Sequence, residues 1–159
     1  MKIKDVIAED WSNYKVASMF IITSVCDFKC CKDCGEDLCQ NMDCISLPTV
    51  DISNEKLYNL YVGNNITEAI VFGGLEPMLQ FDELLSFVHY MRIVQCNEDM
   101  IVIYTGYYPN EIENELNQLK EFANIIVKFG RFIPYKNSKY DEILGVTLVS
   151  DNQYAERIS

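Results

Sequence analysis

Four short apolar runs, each halted abruptly, constrain the fold of this chain more than any other feature. They are Ala17-Ser18-Met19-Phe20-Ile21-Ile22-Thr23-Ser24-Val25, Ala69-Ile70-Val71-Phe72, Met100-Ile101-Val102-Ile103-Tyr104 and Asn124-Ile125-Ile126-Val127-Lys128-Phe129. Runs of this length, rich in β-branched residues and bounded by Gly, Thr-Gly or Cys, read as buried strands. The segments between them carry a helical period. Ser53 can cap a helix over Asn54–Leu60, and Phe81, Leu84, Leu85, Val88 and Met91 mark an amphipathic helix over residues 80–94. Pro109 opens a third, with Ile112, Leu116 and Leu119 on its apolar side. Ile143–Val149 reads as a fifth strand. Strands that alternate with helical crossovers form a parallel sheet, and ligands of such sheets sit beyond the carboxyl ends of the strands. The α/β class follows, in one domain over residues 1–159, with Cys26, Gly73 and Thr105 expected to converge at those ends.

Six of the seven cysteines fall between positions 26 and 44, directly after the first strand: Cys26, Cys30, Cys31, Cys34, Cys39 and Cys44. Disulfide frameworks belong to short secreted chains, and the opening Met1-Lys2-Ile3-Lys4-Asp5-Val6 has no apolar leader core, so reduced thiols in a cytoplasmic protein are expected. Thiolates at these spacings hold either an iron–sulfur cluster or zinc. The formal net charge of −11 argues against nucleic acid as a partner, because no basic stripe is present to displace counterions. No run approaches the roughly 20 apolar residues that would span a bilayer.

Cys26-Asp27-Phe28-Lys29-Cys30 followed by Cys34 resembles the three-cysteine signature of radical S-adenosylmethionine enzymes, whose spacing is C-x3-C-x2-C. Here Asp33 is extra if Cys26, Cys30 and Cys34 are the ligands; taking Cys31 in place of Cys30 gives C-x4-C-x2-C instead. The segment Gly73-Gly74-Leu75-Glu76-Pro77 resembles the Gly-Gly-Glu-Pro motif of the same superfamily, with Leu75 as an extra residue. Ile101–Tyr107, Lys128-Phe129-Gly130-Arg131-Phe132 and Ser150-Asp151-Asn152-Gln153 are similar, in order, to segments of the activating-protein family of anaerobic ribonucleotide reductase. That family often has Asp before the glycine, where this chain has Phe129.

The resemblance runs from about Phe20 to Ile158 and implies an incomplete β/α barrel with a mostly parallel open sheet. It implies a [4Fe–4S] cluster on Cys26, Cys30 and Cys34, with one iron left open for S-adenosylmethionine. Gly73, Gly74 and Glu76 would line the methionine end of that cofactor, and Thr105, Gly106 and Asn152 its carboxylate, ribose or adenine side. The implied activity is generation of a glycyl radical on a partner, the large subunit of anaerobic ribonucleotide reductase, with flavodoxin or ferredoxin as electron donor. Two other readings are a non-catalytic zinc or iron–sulfur module on the same fold and a radical enzyme with a small-molecule substrate. Cys39 and Cys44 read as free thiols or as ligands of a second metal, Cys96 as structural, and His89 as a packed or surface side chain. Tyr107 and Tyr108 sit where an adenine could stack.

Overall fold

The computed structural model describes residues 1–37 and 39–159. Its centre is a seven-stranded sheet in the order β3-β1-β2-β4-β5-β6-β9. The strands are β1 (Lys2–Asp10), β2 (Ser18–Thr23), β3 (Val50–Asp51), β4 (Ala69–Gly73), β5 (Met100–Tyr104), β6 (Ile125–Phe129) and β9 (Tyr154–Arg157). The four apolar runs form the middle, β2, β4, β5 and β6, paired in parallel with Phe20 opposite Val71, Val71 opposite Val102 and Val102 opposite Ile126. The strands flanking this centre run the other way, β1 antiparallel to β2 and β9 antiparallel to β6, and β3 reverses again against β1. The sheet is therefore mixed and mostly parallel at its centre, and its edge strands β3 and β9 lie at opposite ends.

Side-chain alternation along the strands separates two faces. One buries Met19, Ile21, Ile70, Phe72, Ile101, Ile103, Val127 and Phe129 against the helices. Those are α3 (Asn54–Val62), α4 (Phe81–His89) and α5 (Glu113–Leu119), which contribute Leu57 and Tyr61, Leu84, Phe87 and Val88, and Leu116 and Leu119 respectively. The Ser53 hydroxyl accepts from the Lys56 amide at 3.2 Å, as a helix cap should. The helix expected over residues 80–94 is α4 extended by one π-helical turn, Tyr90–Val94. Arg92 holds that turn by donating to the carbonyls of Asn97, Asp99 and Ala123.

The other face carries Phe20, Ile22, Val71, Val102 and Ile126, and is partly covered by a ribbon of β7 (Lys139–Asp141) and β8 (Val146–Leu148). The expected fifth strand is thus corrected: of Ile143–Val149 only Val146–Leu148 is strand, and it pairs with β7 outside the main sheet. Asp141 accepts from the Ile143 and Leu144 amides, and Gly145 has φ 72, so the first half of that run is a turn. The cysteine segment also holds two short helices, α1 (Lys29–Cys34) and α2 (Met42–Ser46). No helix among the described residues is long and apolar enough to cross a membrane.

Candidate metal centre

At the carboxyl ends of β2, β4, β5 and β6 lies a cavity of about 420 Å³. All six clustered cysteines line it, together with Gly74, Leu75, Glu76, Thr105, Gly106 and Lys128. The segments singled out from sequence therefore meet, because parallel strands deliver their C-terminal loops to one edge. Gly73 and Asn152 stand just outside this wall. The Gly73 carbonyl accepts from the Thr23 hydroxyl at 3.1 Å and from the Leu75 amide at 3.0 Å. Asn152 donates to the Arg131 carbonyl at 2.8 Å and to the Tyr108 hydroxyl at 3.2 Å, and its buried Oδ1 has no partner among the described residues.

Helix α1 sets the thiol geometry. Cys30 and Cys34 are four residues apart on it and so share a face one turn apart, while Cys31 is rotated by about 100°. Phe28, at φ 56, turns the chain so that its amide donates to Cys26 Sγ at 3.3 Å. Burial is the main cause raising the Cys26 thiol, to about 11, and it raises Cys30 as well. The field of neighbouring thiols adds to this: Cys30 acts on Cys26, and Cys39 on both Cys30 and Cys44. A metal taken up here must displace thiol protons. Among the described residues no three His, Cys, Asp or Glu side chains close around a single ion, and a cubane cluster reaches ligands set farther apart than one ion does.

Glu76 is 7% exposed and its carboxylate is fully engaged. Oε1 accepts from the Thr105 hydroxyl at 2.7 Å and the Met78 amide at 3.1 Å, and Oε2 from the Gly106 amide at 2.8 Å. Burial still raises its pKa, against those three donors. The Glu76 amide in turn donates to the Val25 carbonyl at 2.8 Å, so one residue ties the ends of β2, β4 and β5 together. Gly74 has φ 77, and a Cβ there would stand 2.7 Å from Ile22 Cγ2, so only glycine fits beside β2. Leu75 is buried in the cavity wall.

Three groups were not legible as site residues. Lys128 is 6% exposed, donates to the Gly130 carbonyl at 2.9 Å and lies 5.8 Å from the centre of the Tyr104 ring; a lysine inside an apolar strand run was the signal that could have marked it. Arg131 and Glu111 tie the cysteine helix to the far side of the sheet. Glu111 joins both Lys29 and Arg131 at 2.5 Å, and Arg131 Nε stands 2.8 Å from Asp33, close enough for ionic attraction but off the line of a hydrogen bond. Tyr107 is committed to the same loop: its hydroxyl donates to Asp27 at 2.8 Å, and Lys29 lies over its ring. Cys96 is exposed beyond α4, and the exposed His89 meets Phe122 edge to face.

A family model described as a 4Fe-4S single cluster domain matches residues 16–154, most of the chain. The chain belongs to the 4Fe-4S single cluster domain family. Domains of this family occur in radical S-adenosylmethionine-type proteins, and a [4Fe–4S] cluster is the group that the clustered thiols are suited to hold. The family match runs from just before β2 to the start of β9, so it takes in the carboxyl ends of β2, β4, β5 and β6. No curated protein and no solved structure matches the chain.

Proposed function

We propose that this 4Fe-4S single cluster domain is a radical S-adenosylmethionine protein that generates a glycyl radical on a partner enzyme, the large subunit of anaerobic ribonucleotide reductase. One observation carries the reading: the cysteine loop, the Gly-Gly-Leu-Glu turn and Thr105-Gly106 lie at the ends of neighbouring parallel strands around one cavity. Its volume is in the range of small-ligand sites, roughly 300–1,000 Å³.

In this reading Cys26, Cys30 and Cys34 hold the cluster, with the last two on one face of α1. Gly74 keeps the backbone close to the ligand where a side chain would intrude. Glu76 does not itself reach for the ligand; it fixes the loops after β4 and β5, whose backbone groups line the methionine end with Gly73. Thr105, Gly106 and Asn152 serve the carboxylate, ribose or adenine side. When bound, the cluster supplies the single electron that cleaves the sulfonium and releases the adenosyl radical able to take hydrogen from a glycine. The extra residues Asp33 and Leu75 are absorbed into an ion pair and a cavity wall, which supports a working site over a spoiled one. We further propose the incomplete β/α barrel as the architecture, a flavodoxin or ferredoxin as electron donor, and the cytoplasm as the location.

The test is anaerobic reconstitution followed by reduction with S-adenosylmethionine present. About four irons per chain, a reduced-cluster resonance shifted by S-adenosylmethionine and 5′-deoxyadenosine over several turnovers are expected. Stoichiometric zinc in a colourless protein that refuses iron would replace the activase with a binding module. Turnover without transfer of the radical to a reductase glycine would move the substrate to a small molecule.

A further inference from the structure

Lys128 is the one basic side chain in the cavity wall among the described residues, and Glu76 the one acidic side chain. Its position follows from strand alternation: Val127 and Phe129 face the helices, so Lys128 faces the cavity with Tyr104, its partner in register on β5. Taking an ammonium out of water costs several kcal/mol. A single carbonyl bond to Gly130 does not offset that, and Lys128 forms no ion pair among the described residues. Glu76 is not its partner by contact: no Lys128–Glu76 ion pair forms among the described residues, and the Glu76 carboxylate accepts instead from Thr105, Gly106 and Met78. For packing alone, a methionine would cover the Tyr104 ring equally well. The charge is kept where an anion is expected.

We propose that Lys128 is the internal counter-charge of the cluster site, a tuning residue whose ammonium offsets the negative charge that thiolate ligation brings into the cavity and so raises the reduction potential of the bound cluster. The proposal rests on the cluster assignment of the family and not on the substrate. Cluster potentials respond to net charge and to burial, and a fixed cation in a poorly solvated wall acts more strongly than one in water. Reduction adds one electron from a low-potential donor, with no bond made and no proton moved, so the added negative charge is what Lys128 stabilises. Burial lowers its pKa to about 8, and the charges of Glu76 and Cys30 act in the opposite direction, so the group is cationic at neutral pH.

The experiment compares the wild type with Lys128→Met, Lys128→Gln and Lys128→Arg, each reconstituted anaerobically, for iron and sulfide content, circular dichroism and midpoint potential by resonance-monitored titration without S-adenosylmethionine. The expected result is equal cluster content and a lower potential in the Met and Gln variants. The reduced-to-oxidised ratio at fixed potential should fall about tenfold, equivalent to about 59 mV for one electron, with the Arg variant close to wild type. Loss of the cluster in the neutral variants alone, with native dichroism throughout, would support the same role in a stronger form. Equal content with an unchanged potential overturns the proposal, as does loss of the cluster in all three variants, which would make Lys128 a packing group. A wild type that takes up no cluster overturns the family-based assignment itself, and with it this role for Lys128.

Discussion

Asp33 Oδ2 lies 2.8 Å from Arg131 Nε, joining the cysteine helix to the loop after β6. Arg131 is 8% exposed while Asp33 is 55% exposed, so the two ends of this contact are unequal. Arg131→Met removes one partner of Glu111 and leaves its carboxylate with Lys29 and the Tyr108 amide, which should cost about 1–3 kcal/mol. Asp33→Asn should cost less than about 1 kcal/mol. Chemical denaturation of both variants checks the order, and iron retention during dialysis should fall more for Arg131→Met.

The Glu76 clamp predicts a stability loss separable from any loss of activity. Glu76→Gln places an amide donor against either the Gly106 amide or the Met78 amide, and Thr105→Val removes the 2.7 Å bond. Each change leaves a buried polar group without its partner, at a cost of about 1–3 kcal/mol. Thermal unfolding of the apo chain should register both, and the double variant should lose less than the sum because the two residues share one bond.

Acid should loosen the Glu111 network. Burial opposes its ionisation, but the hydrogen bonds from Arg131, Lys29 and the Tyr108 amide prevail and hold it down to about 2. The folded state thus binds this proton less readily than the unfolded chain. The contribution is complete above the unfolded carboxylate pKa of about 4.3 and disappears as pH falls toward 2. The stability difference between wild type and Glu111→Gln should be constant near neutrality and shrink below about pH 4.

Ligand assignment can be read from iron content. Cys26→Ser, Cys30→Ser and Cys34→Ser should each abolish a stable [4Fe–4S] spectrum, whereas Cys96→Ser, on the exposed segment beyond α4, should leave it intact. Retention of the cluster in Cys30→Ser and its loss in Cys31→Ser would select the other spacing. Because burial raises Cys26 to about 11, metal uptake releases its proton. Apparent affinity of the apo chain should therefore climb with pH, by about tenfold per unit for each thiol that must ionise.

The parallel centre of the sheet was legible because β2, β4, β5 and β6 are buried on both faces and read as unbroken apolar runs. The antiparallel edges were not. β1 lacks a clean apolar run, with Lys2, Lys4, Asp5 and Glu9 among its residues and Ile7 and Ala8 exposed, and β9 has only four residues, two of them exposed. Ile143–Val149 looked like a strand because hydrophobicity cannot reveal that Asp141 captures two amides to make a turn. At the site, convergence of the segments at Cys26, Gly73 and Thr105 was readable from their places at strand ends, although Gly73 itself stands just outside the cavity wall. The commitment of the Glu76 carboxylate to Thr105 and Gly106 was not, since hydrogen bonds between residues 29 and 30 positions apart leave no local pattern. Arg131 and Glu111, bonded 20 positions apart, were hidden for the same reason.

The thiol segment leaves the sheet at the end of β2 and rejoins it at β3, where Val50 pairs with Ile3, and Lys4 secures the approach by donating to the carbonyls of Ile45 and Leu47. It behaves as a bridge with two fixed abutments. Added length in such a span carries only a logarithmic entropy penalty, so its length can vary while the strands on either side keep their register.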